Sequence, residues 1–317
     1  MSQSKTAFIT GAEGFIGSHL ARFLQAHDWN VIGSYRLHGS NSLPDLPNLS
    51  FVQCDLRNAQ RVMRLLNQYE PTHVFHLGAQ SLPTVSWEDP IGTFESNIMG
   101  SLYLFEAIRA MARPPVVISA CSSAEYGHVP ATAIPVTEEQ PLRPLHPYGI
   151  SKVCLDLLAT EYFLDHQIPI INLRLFNTTG PGKTNDAPSD FVRQLIRIKK
   201  GLQPPVIAVG NLTPRRAFLD VNDAVCGFYL AALTGRHGEV YNLCATETHQ
   251  IGDLLQLAMR LSGVKTEIQQ APHLMRPSDE NIIFGSTDKL RRDTGWKPSV
   301  SMEQTLSAML SYWDTNV

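Results

Sequence analysis

The stretch Thr10-Gly-Ala-Glu-Gly-Phe-Ile-Gly-Ser18 decides the fold. It follows an apolar run, residues 6–10, that reads as a buried strand, and it leads into residues 15–27, whose apolar positions recur at helical spacing. A strand, a G-x-x-G-x-x-G loop and a helix in that order set unpaired helix N–H groups at the carboxyl end of the strand, where an anion is favoured. Gly11 would make the tight turn, Gly14 would let the backbone approach a pyrophosphate, and Gly17 would allow close packing of helix on strand. Phe15 and Ile16 open the helix and join the same cradle. Three glycines alone are only a turn; in this context they predict a dinucleotide site.

The same alternation continues. Apolar runs at residues 31–35, 51–54, 74–77, 116–120 and 170–175 read as strands, separated by amphipathic segments at 59–69, 91–111 and 148–166. Strand, helix, strand, repeated, predicts an α/β fold: a Rossmann-type doubly wound parallel sheet with both faces covered. After Asn177 the chain turns rich in Pro, Gly and Asn, with helices expected near 189–200 and 223–233 and a strand at 240–243. Residues 1–177 are therefore expected to form an NAD(P)-binding domain, with 218–245 returning to it, and 178–317 mainly a smaller α/β substrate-binding lobe.

Composition narrows the partners. At 317 residues and 43% hydrophobic the chain can bury a sizeable core, and a net charge of −3 gives no general attraction to nucleic acid or anionic membranes. The basic knot Arg193, Arg197, Lys199 and Lys200 reads as a solvated helix face. Five scattered cysteines without a C-x-x-C pair argue against a disulfide framework or a structural metal, and no segment approaches membrane-spanning length, so a reducing cytoplasm is expected.

Two features bear on the cofactor. The second strand ends Gly33-Ser-Tyr-Arg36 with no acid following it. An acid there would bind a free ribose 2′-hydroxyl, whereas Arg36, helped by Ser34 or Ser40, would pair with a 2′-phosphate, so NADP(H) is favoured over NAD(H). The alternative is an exposed loop cation. Asp55 would accept from the adenine amino group or else cap the following helix, where Asn58 competes; Leu56, Leu77 and Ala79 are the neighbouring cofactor candidates.

Tyr148-Gly-Ile-Ser-Lys152 puts a phenol and an ammonium on one helix face. The cation is expected to favour phenolate and lower the tyrosine pKa into a range useful for acid and base work. At the end of the 116–120 run, Cys121-Ser-Ser-Ala-Glu-Tyr-Gly127 supplies hydroxyls between loop and phenol.

With these motifs the chain resembles the extended short-chain dehydrogenase/reductases acting on nucleotide sugars. The likeness also runs through His76-Leu-Gly-Ala-Gln80, Asn97-Ile-Met-Gly-Ser101, Arg174-Leu-Phe-Asn177, Gly180-Pro-Gly182 and Gly295-Trp296. It implies Tyr148 as acid/base, Lys152 on the nicotinamide ribose, and Ser122, with Ser123 sharing the role, on the reacting oxygen. Asn97 would stand behind the site or simply cap a turn. Gln80, Glu125 and Asn177 are implied on the substrate side, although Asn177 also suits turn chemistry. Gly210-Asn-Leu212 with Arg216, and Arg276-Pro-Ser-Asp279, look most like GDP-mannose 4,6-dehydratases and GDP-6-deoxy-4-keto-mannose reductases, the two arginines clamping a diphosphate or serving as surface ion-pair residues. Where that family usually has Asp after the first arginine, this chain has Ala217.

Ala124 then argues against a dehydratase without choosing between reductase and epimerase; Arg36 and the missing ribose acid favour the reductase, which must exchange NADPH each turnover. Dehydratases typically carry a glutamate at that slot for elimination, and Glu125, one residue later, points the other way if the backbone is extended. The leading expectation is an NADP-dependent reductase of a GDP-4-keto-6-deoxyhexose, acting as a homodimer. A nucleotide-sugar C4 epimerase is the second reading, with a dehydratase, should Glu125 turn inward, less favoured. A dinucleotide-sensing protein is the non-enzymatic alternative.

Overall fold

The computed structural model describes residues 5–36, 48–274 and 284–317. Seven strands form a parallel sheet: β1 (Thr6–Thr10), β2 (Asn30–Tyr35), β3 (Leu49–Gln53), β4 (His73–His76), β5 (Val116–Ser122), β6 (Ile170–Leu175) and β7 (Val240–Leu243). Their order is β7-β6-β5-β4-β1-β2-β3. The winding reverses between β1 and β4, so the ligand crevice of such a sheet opens over the carboxyl ends of these strands.

The helices are α1 (Phe15–Ala26), α2 (Ala59–Tyr69), α3 (Gly100–Arg109), α4 (Pro147–His166), α5 (Ala187–Lys199), α6 (Val221–Thr234), α7 (Ile251–Ser262), α8 (Asp288–Thr294) and α9 (Met302–Asn316). Adjacent strand residues serve opposite faces. Ile9, Phe75 and Ile118 pack with Leu24 of α1, Phe228 of α6 and Leu290 of α8, whereas Phe8, Val74 and Val117 pack with Leu66 of α2, Ile108 of α3 and Leu155 of α4. Such two-faced burial is why these strands read as unbroken apolar runs.

The polypeptide returns to the sheet through α6, and β7 pairs in parallel with β6 from Val240↔Asn172 to Leu243↔Leu175. A third core joins Val192 and Leu195 of α5, Leu254 and Leu255 of α7, and Leu306 and Met309 of α9 with Ile207. There Val206–Val209 pairs in parallel with Glu267–Gln270. Asp223, in the first turn of α6, ties the C-terminal segment down: its carboxylate accepts from Ser299 N, Ser299 Oγ and Val300 N, each at 2.9 Å, and its carbonyl from Trp296 Nε1 at 3.0 Å.

The single helix expected over residues 91–111 is a continuous helical run from Pro90 to Arg109 that widens at one turn. A short helix, Pro90–Phe94, passes through a π turn, Glu95–Met99, into α3. Asn97 is the reason: buried in the π turn, it bonds Gln80 through both backbone groups (Oδ1 from N at 2.7 Å, Nδ2 to O at 2.9 Å) and donates to Ser151 Oγ at 2.9 Å. An extra residue in the turn re-aims that side chain, as π turns at functional sites commonly do.

Candidate active site

The glycine loop is built from close approach. Gly11 has φ +69°, and a Cβ there would stand 2.8 Å from Gly78 Cα; one on Gly17 would lie 2.2 Å from the Gly11 carbonyl oxygen. Neither position tolerates a side chain, so α1 starts hard against β1. Phe15 and Ile16 lie in the first turn of α1, and Lys183 sits 5.1 Å over the Phe15 ring. Gly14 is the helix N-cap.

A buried polar chain fixes this loop to the end of β4. Thr10 Oγ1 accepts from Leu77 N (3.0 Å) and Gly78 N (2.9 Å), pairs with His76 Nδ1 at 2.9 Å, and His76 Nε2 meets Ser101 Oγ at 2.8 Å. Because the threonine oxygen already accepts twice, its proton goes to Nδ1 and the imidazole carries its own on Nε2. Burial drives the His76 pKa down to about 3, keeping the ring neutral. Leu77 and Ala79 flank Gly78 on this segment, and Leu56 Cδ1 lies 3.1 Å from where a Gly78 Cβ would be.

At the tip of β2 the structure changes the reading. Arg36 is exposed, but its backbone N–H donates to Glu13 Oε1 at 3.0 Å, and Glu13 Oε2 is buried without a partner among the described residues. An acid does stand at this strand end, delivered by the glycine loop instead of by the strand. Its position as the second variable residue of the loop was the signal. Ser34 is 1% exposed with its hydroxyl unpartnered, so it cannot help Arg36 hold a phosphate; Ser40 lies outside the described residues. Asp55 does not cap α2, since Asn58 accepts from Arg61 N; Asp55 instead takes the backbone and guanidinium of Arg57, which hold its pKa below the usual value.

Tyr148 and Lys152 occupy the start of α4, where His146 Nδ1 accepts from Gly149 N at 3.0 Å and Pro147 takes the first helical position. The helix abuts the serine loop: a Cβ on Gly149 would sit 2.8 Å from the Ala124 carbonyl oxygen. Ser122 stands beside the Tyr148 phenol, and Lys152 Nζ donates to the Ala120 carbonyl at 2.7 Å, 6.0 Å from the Tyr148 ring. Ser123 is half-buried beside them.

The expected lowering of the Tyr148 pKa is not found. Burial pushes the phenol up to about 12, because a phenolate is poorly solvated there and Lys152 is turned toward β5; burial also lowers the lysine. Tyr148 thus stands ready as a proton donor.

Two substrate-side candidates are otherwise engaged. Glu125 is fully buried: the backbone at Ser123–Glu125 is a 3-10 turn, not extended, and the carboxylate closes a capping box by accepting from Ser122 N at 2.7 Å. Its other oxygen meets Arg174 Nε at 3.1 Å. Gln80 spends its side chain on its own loop, donating to Leu82 O (3.0 Å) and Thr93 Oγ1 (3.1 Å). Asn177 is exposed just beyond β6, and its carbonyl accepts from Leu219 N at 2.9 Å. Arg216 is half-exposed on the short strand Arg215–Arg216, its guanidinium on the Arg215 carbonyl at 2.9 Å. Arg276 lies outside the described residues.

Sequence reading passed over Asp156 and the buried setting of Arg174. The signals were present: Asp156 follows Lys152 by four on α4, and Arg174 is a charge inside an apolar strand run, which demands a partner.

A model of the family described as GDP-mannose 4,6 dehydratase matches residues 8–309. The chain is 32% identical over 317 residues to a GDP-6-deoxy-D-mannose reductase of Pseudomonas aeruginosa, covering 98% of this chain and 97% of the relative. The solved structure of RMD from Pseudomonas aeruginosa complexed with NADPH aligns with a TM-score of 0.87 at 30% identity, over 99% of this chain and 100% of that one. The UDP-glucose 4-epimerase of Thermus thermophilus in complex with NAD gives a TM-score of 0.87 at 28% identity, over 98% and 100%.

Proposed function

The chain belongs to the GDP-mannose 4,6-dehydratase family of extended short-chain dehydrogenase/reductases, and from that premise we propose that it reduces the C4 carbonyl of a GDP-4-keto-6-deoxyhexose with NADPH. Hydride would pass from the nicotinamide to sugar C4 while Tyr148 gives the proton and Ser122 holds the oxygen; Lys152 would bind the nicotinamide ribose. The dinucleotide lies in this reading along Gly11, Gly14, Gly17 and Arg36, on residues 1–177 with the return of 218–245. Residues 178–317 supply most of the nucleotide-sugar side, including Arg216, with Asn177 at their border.

One observation carries the choice of reaction. The sole carboxylate of the Ser122–Gly127 turn, Glu125, is buried against Arg174, and the slot before it is Ala124. The turn therefore offers a bound sugar no base to take a C5 proton, which elimination needs, and a raised tyrosine suited to donating in a reduction. Relatives named as the reductase of Pseudomonas aeruginosa and as an NADPH complex support the same reading. A second reading, C4 epimerisation with retained NAD, draws support from Glu13, whose carboxylate suits an unphosphorylated ribose. In the reductase reading Arg36 makes NADPH the better donor, and Glu13 lets NADH serve as a poorer one.

Mixing the protein with GDP-4-keto-6-deoxymannose and NADPH decides between them. Loss of NADPH absorbance with formation of a GDP-6-deoxyhexose is the expected result. No oxidation of NADPH, together with interconversion of C4 epimers of a nucleotide sugar, would establish the epimerase.

A further inference from the structure

One charged cluster beneath the site has no role in the chemistry above. Glu125, Asp156 and Arg174 are 0%, 3% and 6% exposed. Arg174 Nε donates to Glu125 Oε2 at 3.1 Å and to Asp156 Oδ2 at 2.9 Å, Nη2 adds a 2.6 Å bond to Asp156 Oδ2, and Asn172 Nδ2 reaches Asp156 Oδ1 at 2.6 Å. Oxygens of Glu125 and Asp156 lie within 4.8 Å of one another, and both acids bond the same guanidinium. Two carboxylates held this close in the interior repel one another, so the pair is favoured when one of them keeps its proton. With that proton the cluster is one cation against one anion. Without it a net negative charge is buried, which the surroundings solvate poorly. Cys121 Sγ lies within 4.8 Å of oxygens of both acids, a spacing that would suit a metal ion, but the guanidinium already bonds both.

We propose that Glu125 is a positioning residue, holding Ser122 against Tyr148 through a proton that it shares with Asp156 beside Arg174. The inference rests on the reductase reading. Its first link is the 2.7 Å bond from Ser122 N to Glu125 Oε1, and its second is Ser122 Oγ accepting from Ala124 N at 3.2 Å, so the carboxyl sets the turn that aims the hydroxyl. Ionising Glu125 acts twice on the reaction. The two acids then repel, loosening the turn, and the added negative charge opposes phenolate formation as Tyr148 releases its proton. Glu125 is faced by Cys121 from β5, by Tyr148, Lys152 and Asp156 from α4, and by Arg174 from β6, with Tyr126 beside it. Burial first and Asp156 second push its pKa up to about 8. The shared proton is thus present at neutrality and lost as pH rises through that value.

The test is the pH dependence of kcat and KM from about pH 6 to about pH 10 for the parent, Glu125→Gln and Glu125→Ala. The parent kcat should fall above about pH 8, up to tenfold per unit if the proton is required. Glu125→Ala should lose about tenfold or more in kcat with little change in either KM, and Glu125→Gln, which keeps an acceptor for Ser122 and a donor for Asp156 but loses the acceptor for Arg174 Nε and cannot ionise, should recover part of that loss and abolish the alkaline limb. A limb unchanged in Glu125→Gln, or parental kcat in Glu125→Ala, overturns the proposal; if the alanine protein does not fold, the glutamine profile alone decides. Infrared spectra supply a readout without turnover. A protonated-carboxyl band in the parent, absent in Glu125→Gln and lost on alkaline titration, is expected even if the keto sugar proves not to be the substrate, and absence of the band overturns the proposal.

Discussion

Opposite charges meet at the tip of β2, and in the proposed reading their balance would set which dinucleotide binds. Glu13 offers a carboxylate 3.0 Å from Arg36 N, while the Arg36 side chain is exposed. A 2′-phosphate would be repelled by the first and paired by the second. Glu13→Gln should therefore raise the ratio of kcat/KM for NADPH over NADH by about tenfold, and Arg36→Ala should lower it by a similar factor, one tenfold step being about 1.4 kcal/mol. Steady-state rates with each dinucleotide check this; equal ratios in all three proteins would remove both residues from the selection. At the reacting end, Tyr148→Phe keeps the ring but removes the proton. Its kcat should fall by about 10²–10⁴ while NADPH affinity, followed by nicotinamide fluorescence, stays close to parental. Since burial holds the phenol near 12, Tyr148 itself should cause no loss of activity around pH 8. Such residues were legible because Tyr148, Lys152 and Ser122 sit in short local patterns. Glu125 and Gln80 were not, because which way each points depends on one backbone turn, and a 3-10 turn in place of an extended chain sends the Glu125 carboxyl into the interior.

Among the elements, the π turn shows how a helix that periodicity predicts can widen locally around a buried polar side chain. Asn97 is 2% exposed and bonds Gln80 N, Gln80 O and Ser151 Oγ, joining the loop after β4 to the first turns of α4. Asn97→Ala would strand these groups in the interior, at a cost of about 2–4 kcal/mol. A drop in Tm of about 5 °C or more is expected, with kcat reduced because Ser151 adjoins Lys152. Melting curves and rates read the two effects separately; a Tm within about 1 °C of the parent would show that the turn does not depend on Asn97. The sheet was readable where strands are buried on both faces, and β1 and β6 begin and end where their apolar runs do. Beyond residue 177 the helices expected near 189–200 and 223–233 and the strand at 240–243 are found as α5, α6 and β7, but the shortest strand pairs were not readable. The pairs Thr178–Thr179 with Leu219–Asp220 and Arg215–Arg216 with His249–Gln250 are two residues long, too short for any period to register. One signal there was overlooked: Ser301-Met-Glu-Gln304 is a capping box that opens α9.

At the scale of the whole molecule, the sheet's two cores and the third core around α5, α7 and α9 leave one face of α4 uncovered. Ile150, Leu157 and Leu164 are 42%, 62% and 60% exposed, and their spacing of seven residues keeps them within a narrow stripe along the helix. The short helices Pro83–Glu88 and Pro90–Phe94 pack against α4 and add Trp87 and Ile91, 65% and 72% exposed. Apolar patches of this kind mark interfaces in soluble proteins, and a two-fold pairing of α4 with its copy would cover the stripe in both chains at once. A stable dimer needs roughly 1,200–2,000 Å² of buried surface, which two helix faces with the short helices beside them can supply. On that footing the parent should sediment as a dimer at micromolar concentration, and Leu157→Glu, which would bury a charge in each half of the contact, should weaken the association by about 100-fold or more. Because Ser122, Tyr148 and Lys152 come from one chain, NADPH binding by the dissociated variant should persist, with a lower Tm from the loss of coupled stability. A parent that remains monomeric at all concentrations, or a Leu157→Glu protein that dimerises as well as the parent, would place the subunit contact elsewhere or remove it.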